Sequence, residues 1–230
     1  MDSIKLSKRL DAISGSVPKG AAAADVGTDH GHIPIFLALN GIASRIVASD
    51  LNQKPLKSAS ELAKKYGVAD KIEFIRADGL NFNGFCGLDT VIISGMGGEL
   101  IASIIDGAEW LRDEKTLLIL QPQSKLDYLC SYLSESGYDI IDARLVRDRG
   151  KIYAVLTARS GPAGGTAGIT SLLSVLYAKR DPLLSEYLNK LIAREAKTQN
   201  GRMLSKNHCD APDPGFLETL TRMKEEIEKW

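Results

Sequence analysis

The chain has 230 residues, 44% hydrophobic and 25% charged, with 29 basic side chains against 29 acidic ones. This composition excludes a disordered chain and fits one large domain, or a medium domain with a small appendage. The zero balance advertises no polyanionic partner and excludes none, because a basic patch on one face can be cancelled on another.

Residues 4–17 read as a helix, with Leu6, Leu10 and Ile13 on one stripe beside Lys5, Lys8 and Arg9. The alanine run at 21–27 has the propensity of a helix but reads as a strand. It is short, comes after Pro–Gly punctuation, ends in glycine, and its small residues suit a strand covered on both faces. A helix at 33–39 carries Pro34 in its tolerated first turn. Strand and helix then alternate: strand 45–50, helix 55–66, strand 71–75, strand 88–94, helix 99–105, strand 116–120 and helix 126–136. Strands at 138–146 and 151–159 close the series. The alternation predicts an α/β fold with a mostly parallel sheet and an antiparallel finish. Such sheets bind ligands at the carboxyl ends of their strands, where Asp25, Asp50, Asp78, Gly95 and Gln121 fall.

The composition changes in the glycine-rich stretch 161–168, which divides the chain into expected domains at 1–160 and 161–230. Leu173, Tyr177, Leu184, Tyr187 and Leu191 form a stripe on one long helix, with a break expected near Asp181 and Pro182. Phe216, Leu220, Met223, Ile227 and Trp230 repeat at heptad spacing, so a helical hairpin of coiled-coil type is expected. It is too small for an independent catalytic domain.

The sharpest cluster is Asp25-Val26-Gly27-Thr28-Asp29-His30-Gly31-His32. A dinucleotide loop would place glycine where Asp29 stands, and a carboxylate there repels a pyrophosphate. It welcomes an ammonium or sulfonium group instead, so the loop suits S-adenosylmethionine better than NAD. The plain alternative is an ordinary strand-turn-helix junction. Asp50, with Leu51 next to it, is placed to accept two ribose hydroxyls, or to cap the next helix, for which Asn52 serves equally well. Asp78-Gly79 is placed to take an adenine amine or simply to turn the chain. Three acids ending three successive strands are harder to explain as turns than any one of them.

Ser94-Gly95-Met96-Gly97-Gly98 lets a flat molecule approach the backbone; helix–sheet packing alone needs one glycine. Gln121-Pro122-Gln123 carries two amides able to read a base edge or to satisfy local backbone. His30 is expected to line the pocket and His32 to face away. No third ligand accompanies them and the cysteines form no metal spacing, so neither a metal nor a disulfide is expected. Cys86 and Cys130 read as core, while His208 and Cys209 fall in a linker. No apolar run reaches a membrane span and no secretory signal opens the chain, so a cytoplasmic location is expected.

Ser7-Lys8-Arg9-Leu10, the Asp25–His30 loop, Gly95-Met96-Gly97-Gly98 and Gln121-Pro122-Gln123 together resemble the TrmK family, bacterial tRNA (adenine(22)-N1)-methyltransferases. The resemblance runs from Leu6 to about Arg159, and the trailing hairpin is similar to the coiled-coil domain of that family. The chain departs from the family pattern in Thr28 for serine and Gly31-His32-Ile33 for Ala-Tyr-Leu. The resemblance implies a class I, Rossmann-like methyltransferase fold, S-adenosylmethionine as donor and an adenine of the tRNA D-arm as acceptor. It implies a cofactor site of Asp25, Gly27, Asp29, His30, Asp50, Leu51, Asp78, Gly79 and Gly95. Asp29, Gly95, Met96, Gly97 and Gln121 would then face the reacting base. Basic residues at Lys8, Arg9, Arg180 and Arg194 are expected on tRNA phosphates, the bland reading of them being a solvated helix face. Methylation of another RNA or of a small-molecule nitrogen, and a non-catalytic RNA-binding module, are the alternatives. A monomer is favoured.

Overall fold

The computed structural model describes residues 4–82, 84, 86–161, 167–203 and 214–230. Contacts divide the chain into two compact units, Met1–Val175 and Leu176–Trp230.

In the first unit, α1 spans Lys8–Ser14, shorter than expected because Ser7 caps it, its hydroxyl accepting from the Leu10 amide. The alanine run is a strand, β1 (Ala21–Val26), buried along its whole length. Its neighbours explain why propensity loses there: β1 is hydrogen-bonded on both edges, and only small side chains leave room for covering layers. Next along the chain are α2 (His32–Leu39), β2 (Ala43–Asp50), α3 (Gln53–Lys65), β3 (Glu73–Arg76), β4 (Thr90–Gly97) and α4 (Gly98–Asp106). Then come β5 (Leu117–Ser124), α5 (Leu126–Glu135), β6 (Tyr138–Asp148) and β7 (Lys151–Ser160).

The seven strands form one sheet in the order β3-β2-β1-β4-β5-β7-β6. The first five are parallel, and β7 runs antiparallel between β5 and β6. Ile13 of α1, Ile35 and Leu37 of α2, Ala23, Ile92 and Ile119 of the central strands share one buried core. The order reverses between β1 and β4, the position at which an open parallel sheet leaves a crevice at its carboxyl edge.

Two expected loops are strand instead. β4 and β5 continue pairing through Ser94–Gln121, Met96–Pro122 and Gly97–Ser124, with Gly95 left out of register as a bulge. A bulge bends the strand and re-aims the residues beyond it. Cys130 is core as expected, and burial pushes its thiol up to about 12. Cys86 is exposed in the turn before β4, its carbonyl accepting from Arg45.

The expected long C-terminal helix is broken, as Pro182 indicated, into α6 (Ile169–Ala178) and α7 (Leu184–Met203). The Asp181 carboxylate accepts from the Leu183 amide at 2.9 Å and restarts the helix. α8 spans Pro214–Ile227 and packs on α7. Leu184, Leu188, Leu191, Leu220 and Ile227 are buried, so Leu188 takes the place expected for Tyr187. Trp230 lies against Tyr177, ring centroids 5.1 Å apart, with the Arg180 guanidinium 5.7 Å from its ring. Lys206, His208 and Cys209 lie outside the described residues. Among the described residues no helix is long and apolar enough to cross a membrane.

Candidate active site

The β1 turn is built by backbone hydrogen bonds from the neighbouring strand. The amides of Gly27 and Thr28 both donate to the Ser49 carbonyl, at 2.8 and 2.9 Å. The Asp29 amide donates to Asp50 Oδ2 at 3.2 Å, and the Asn52 amide to Asp50 Oδ1 at 2.9 Å. Asn52 makes no side-chain cap, so the expectation that it would free Asp50 from capping is not met. Asp50 ties the first turn to the start of α3 because β2 ends level with the β1 turn. Each carboxylate oxygen keeps a further lone pair for a hydroxyl. Leu51 beside it is 54% exposed, an apolar surface with nothing over it among the described residues.

Asp25 is buried, and its Oδ2 accepts from Thr28 Oγ1 at 2.7 Å. Burial pushes this carboxyl up to about 6, the Thr28 hydrogen bond opposing and the Asp50 charge adding to the rise. The folded protein therefore holds a proton between about pH 4 and 6 that the unfolded chain has released. The contribution of Asp25 to stability is present below pH 4 and is lost as pH rises through 6. Asp25→Asn is expected to lack this slope, so that its stability relative to the parent protein rises by roughly 3 kcal/mol between pH 4 and pH 7. Urea titrations across that range check it; a pH-independent difference would mean that Asp25 stays ionised.

Gly27 has φ +71°, and a Cβ there would fall 2.0 Å from Met96 Cε, so the Met96 side chain lies directly over the glycine. A cleft of about 390 Å³ opens between the β1 turn and the β4 bulge, lined by Asp25, Gly27, Thr28, Asp29, Ser94, Gly95 and Met96. That volume lies within the ordinary range of small-molecule sites. His30 and His32 both line it, contrary to the expectation for His32. Gly31 takes φ +71° between them and sets their rings edge to face, 6.0 Å apart. Burial, and next the neighbouring His30, lower the pKa of His32, with Asp29 opposing.

The glycine segment divides its labour. Gly95, φ +80°, is open to the cleft, with Arg9 and Gln123 the nearest side chains. Gly98 is a packing residue, since a Cβ there would sit 2.2 Å from the Lys125 carbonyl oxygen. Gly97, expected at the base, faces Ser124 Oγ instead and does not line the cleft.

Gln121 is fully buried, its Oε1 accepting from Arg9 and its Nε2 donating to the Pro122 carbonyl, so it does not reach a base edge. Two residues further along β5, just past the end of its buried stretch, Gln123 is the amide that lines the cleft. Arg9, expected on tRNA phosphates, lines the cleft itself, its guanidinium 5.8 Å from the Tyr153 ring. The helical pattern put Arg9 on the polar face of α1; only the packing of α1 against β5, β6 and β7 aims that face at the cleft.

Asp78 is exposed beyond the end of β3, and Gly79, φ +57°, packs on Ile104; neither lines the cleft. The Ala77 amide donates to the Asp50 carbonyl and holds this segment beside β2. Lys8 is exposed on α1, and Arg180 and Arg194 are exposed in the second unit. Among the described residues no group of three His, Cys, Asp or Glu could hold a metal ion.

Residues 6–156 match a methyltransferase domain family. The chain is 35% identical over 161 residues to the tRNA (adenine(22)-N(1))-methyltransferase of Bacillus subtilis, covering 70% of this chain and 68% of that protein. The crystal structure of the B. subtilis m1A22 tRNA methyltransferase is 26% identical, with a TM-score of 0.75 and 98% of both chains covered. A Streptococcus pneumoniae protein crystallised with S-adenosyl-L-methionine is 25% identical, with a TM-score of 0.77 over 98% of this chain and 99% of that one.

Proposed function

This chain belongs to the family of bacterial tRNA (adenine(22)-N1)-methyltransferases, and from that premise we propose that its cleft transfers a methyl group from S-adenosylmethionine to N1 of adenine 22 in the tRNA D-arm. The observation that carries this reading is the meeting of the Asp25–Asp29 turn, Asp50 and the Gly95–Met96 bulge at the strand-order reversal.

The residues fit the cofactor. Gly95 leaves backbone bare at positive φ, Asp50 offers carboxylate lone pairs to a ribose diol, and Leu51 offers an apolar surface beside it. Asp25 and Asp29 supply negative charge toward an ammonium or sulfonium group, and Asp78, outside the cleft lining but in the segment that Ala77 ties to Asp50, is read as the acceptor for the adenine amine. When bound, S-adenosylmethionine supplies an electrophilic methyl group.

Adenine N1 carries an in-plane lone pair and needs no base to become a nucleophile. N1 lies on the Watson–Crick edge, so the base must leave its stack to enter the cleft. Gly95 and Met96 give it a flat approach, and Gln123 offers an amide to its edge. Orientation of this kind contributes up to ~7–11 kcal/mol in the best intramolecular cases. Asp29 favours the positive charge that the ring gains. Transfer of labelled methyl to tRNA followed by nucleoside analysis tests the reading. 1-Methyladenosine is the expected product; label in another nucleoside, or none, overturns it.

The segment beyond residue 160 is read as a helical domain that contacts tRNA, with Arg180 and Arg194 on phosphates. Arg180→Glu with Arg194→Glu is expected to weaken tRNA binding and to lower the slope of log affinity against log salt by about 1.4–1.8, at ~0.7–0.9 per lost phosphate contact. Cofactor affinity should stay unchanged. Filter binding at several salt concentrations checks this; an unaltered slope makes these arginines structural.

A further inference from the structure

We propose that the tip of the β6–β7 hairpin, with the exposed face of α1, is a docking surface for the ribose–phosphate backbone of the acceptor RNA. The proposal rests on the reading of the cleft as an RNA methyltransferase site and adds a surface of the first unit to it.

Topology sets the position. β7 pairs antiparallel with β5 through Leu118–Ala158 and Leu120–Leu156, so it starts on the carboxyl edge of the sheet, where the cleft lies. β6 ends on that same edge, and the hairpin turns at Arg149-Gly150 between the paired Asp148 and Lys151. α1 packs on β6 and β7, with Lys8 exposed on its first turn and Lys5 exposed just before it. Arg9 links the two structures: it lines the cleft while its guanidinium lies over Tyr153, two residues from Lys151. At about 3.3 Å per strand residue, the tip lies roughly 10 Å beyond Tyr153.

Charge identifies the partner. From Arg144 to Lys151 there are four cations and one carboxylate, Asp148, in a protein whose total charge is zero. Arg147, Arg149 and Lys151 are exposed. Arg149 and Lys151 make no ion pair among the described residues. The turn favours Asn, Asp or Gly at its first position, where φ is positive, yet that position holds Arg149 at φ +48°. An arginine there works against the turn and puts its charge at the outermost point of the hairpin. Cations strung along a ridge that ends at the cleft match the spaced anions of a polynucleotide backbone, and such contacts position the acceptor without reading its sequence.

The test uses the full chain with Arg149→Asn and Lys151→Thr, which remove both charges while suiting turn and strand. Expected are a severalfold rise in KM for a tRNA transcript and a salt slope lower by about 1.4–1.8, at ~0.7–0.9 per contact. The kcat and the S-adenosylmethionine affinity should be unchanged and the melting temperature should not fall, and Arg149→Lys with Lys151→Arg should restore binding. If the parent protein methylates tRNA and the double variant matches it in KM and slope, the surface is wrong and the reading of the cleft stands. A loss of affinity with no change in slope also overturns it, because phosphate contacts must release counterions. A parent protein that transfers no methyl to tRNA overturns the cleft reading and the surface with it.

Discussion

Asp50→Ala is expected to raise the dissociation constant for S-adenosylmethionine by roughly ten- to a hundredfold, since charge-assisted hydrogen bonds contribute about 1.5–3 kcal/mol. The loss has two sources. The ribose hydroxyls lose their acceptor, and the amides of Asp29 and Asn52 lose theirs. Asp29 is held at φ +51°, a conformation that a non-glycine residue adopts reluctantly, and Asp50 is one of its restraints. Asp50→Asn keeps one oxygen acceptor and should fall between the parent protein and alanine. These interactions are made in the ground state, so binding should suffer more than turnover at saturating cofactor. Isothermal calorimetry on the folded variants reads the effect directly, and an unchanged affinity would take Asp50 out of the site.

Gly98→Ala is expected to destabilise the first unit by about 3 kcal/mol, at the upper end of the cost of overpacking. The added Cβ would meet the Lys125 carbonyl oxygen at 2.2 Å and the Leu129 Cβ at 3.2 Å. The first of these neighbours is backbone at the start of α5, which cannot rotate away, so α4 and α5 must separate. For a chain of this size the melting temperature should fall by roughly 6–12 °C. Gly95→Ala is the contrasting case. Its nearest neighbours are side-chain ends at 3.9 and 4.0 Å, so it should lose the cost of a positive φ, about 1–2 kcal/mol, and little more. Equal melting points for the two variants would mean that the α4–α5 contact yields more easily than its geometry implies.

The α/β class was legible because strand and helix signals alternate at short, regular spacing, and alternation leaves few ways to bury every apolar face. Even the alanine run was readable, from its punctuation rather than its propensity. The two glutamines were not resolved into roles. Gln121 and Gln123 differ in burial, one within the buried stretch of β5 and one past its end, and where that stretch ends depends on long-range packing against β4 and α1. Tyr187 and Leu188 present the same difficulty on α7, where a restart at Asp181 resets the helical phase.

Legible in the residues alone were the carboxyl-edge acids at Asp25 and Asp50, the glycines where backbone is bare, the break at Pro182 and the family to which these belong. Those features are local: a strand end, a turn and a helix break each depend on a few adjacent residues. Only the folded chain reveals that Asp50 braces the Asp29 turn, that Met96 covers Gly27, and that Arg9 turns inward between Gln121 and Tyr153. Folding also brings the β6–β7 hairpin to the edge of the cleft. Each of these joins residues far apart in the chain, and their meeting depends on strand order and helix docking, which are set by burial summed over the whole sheet.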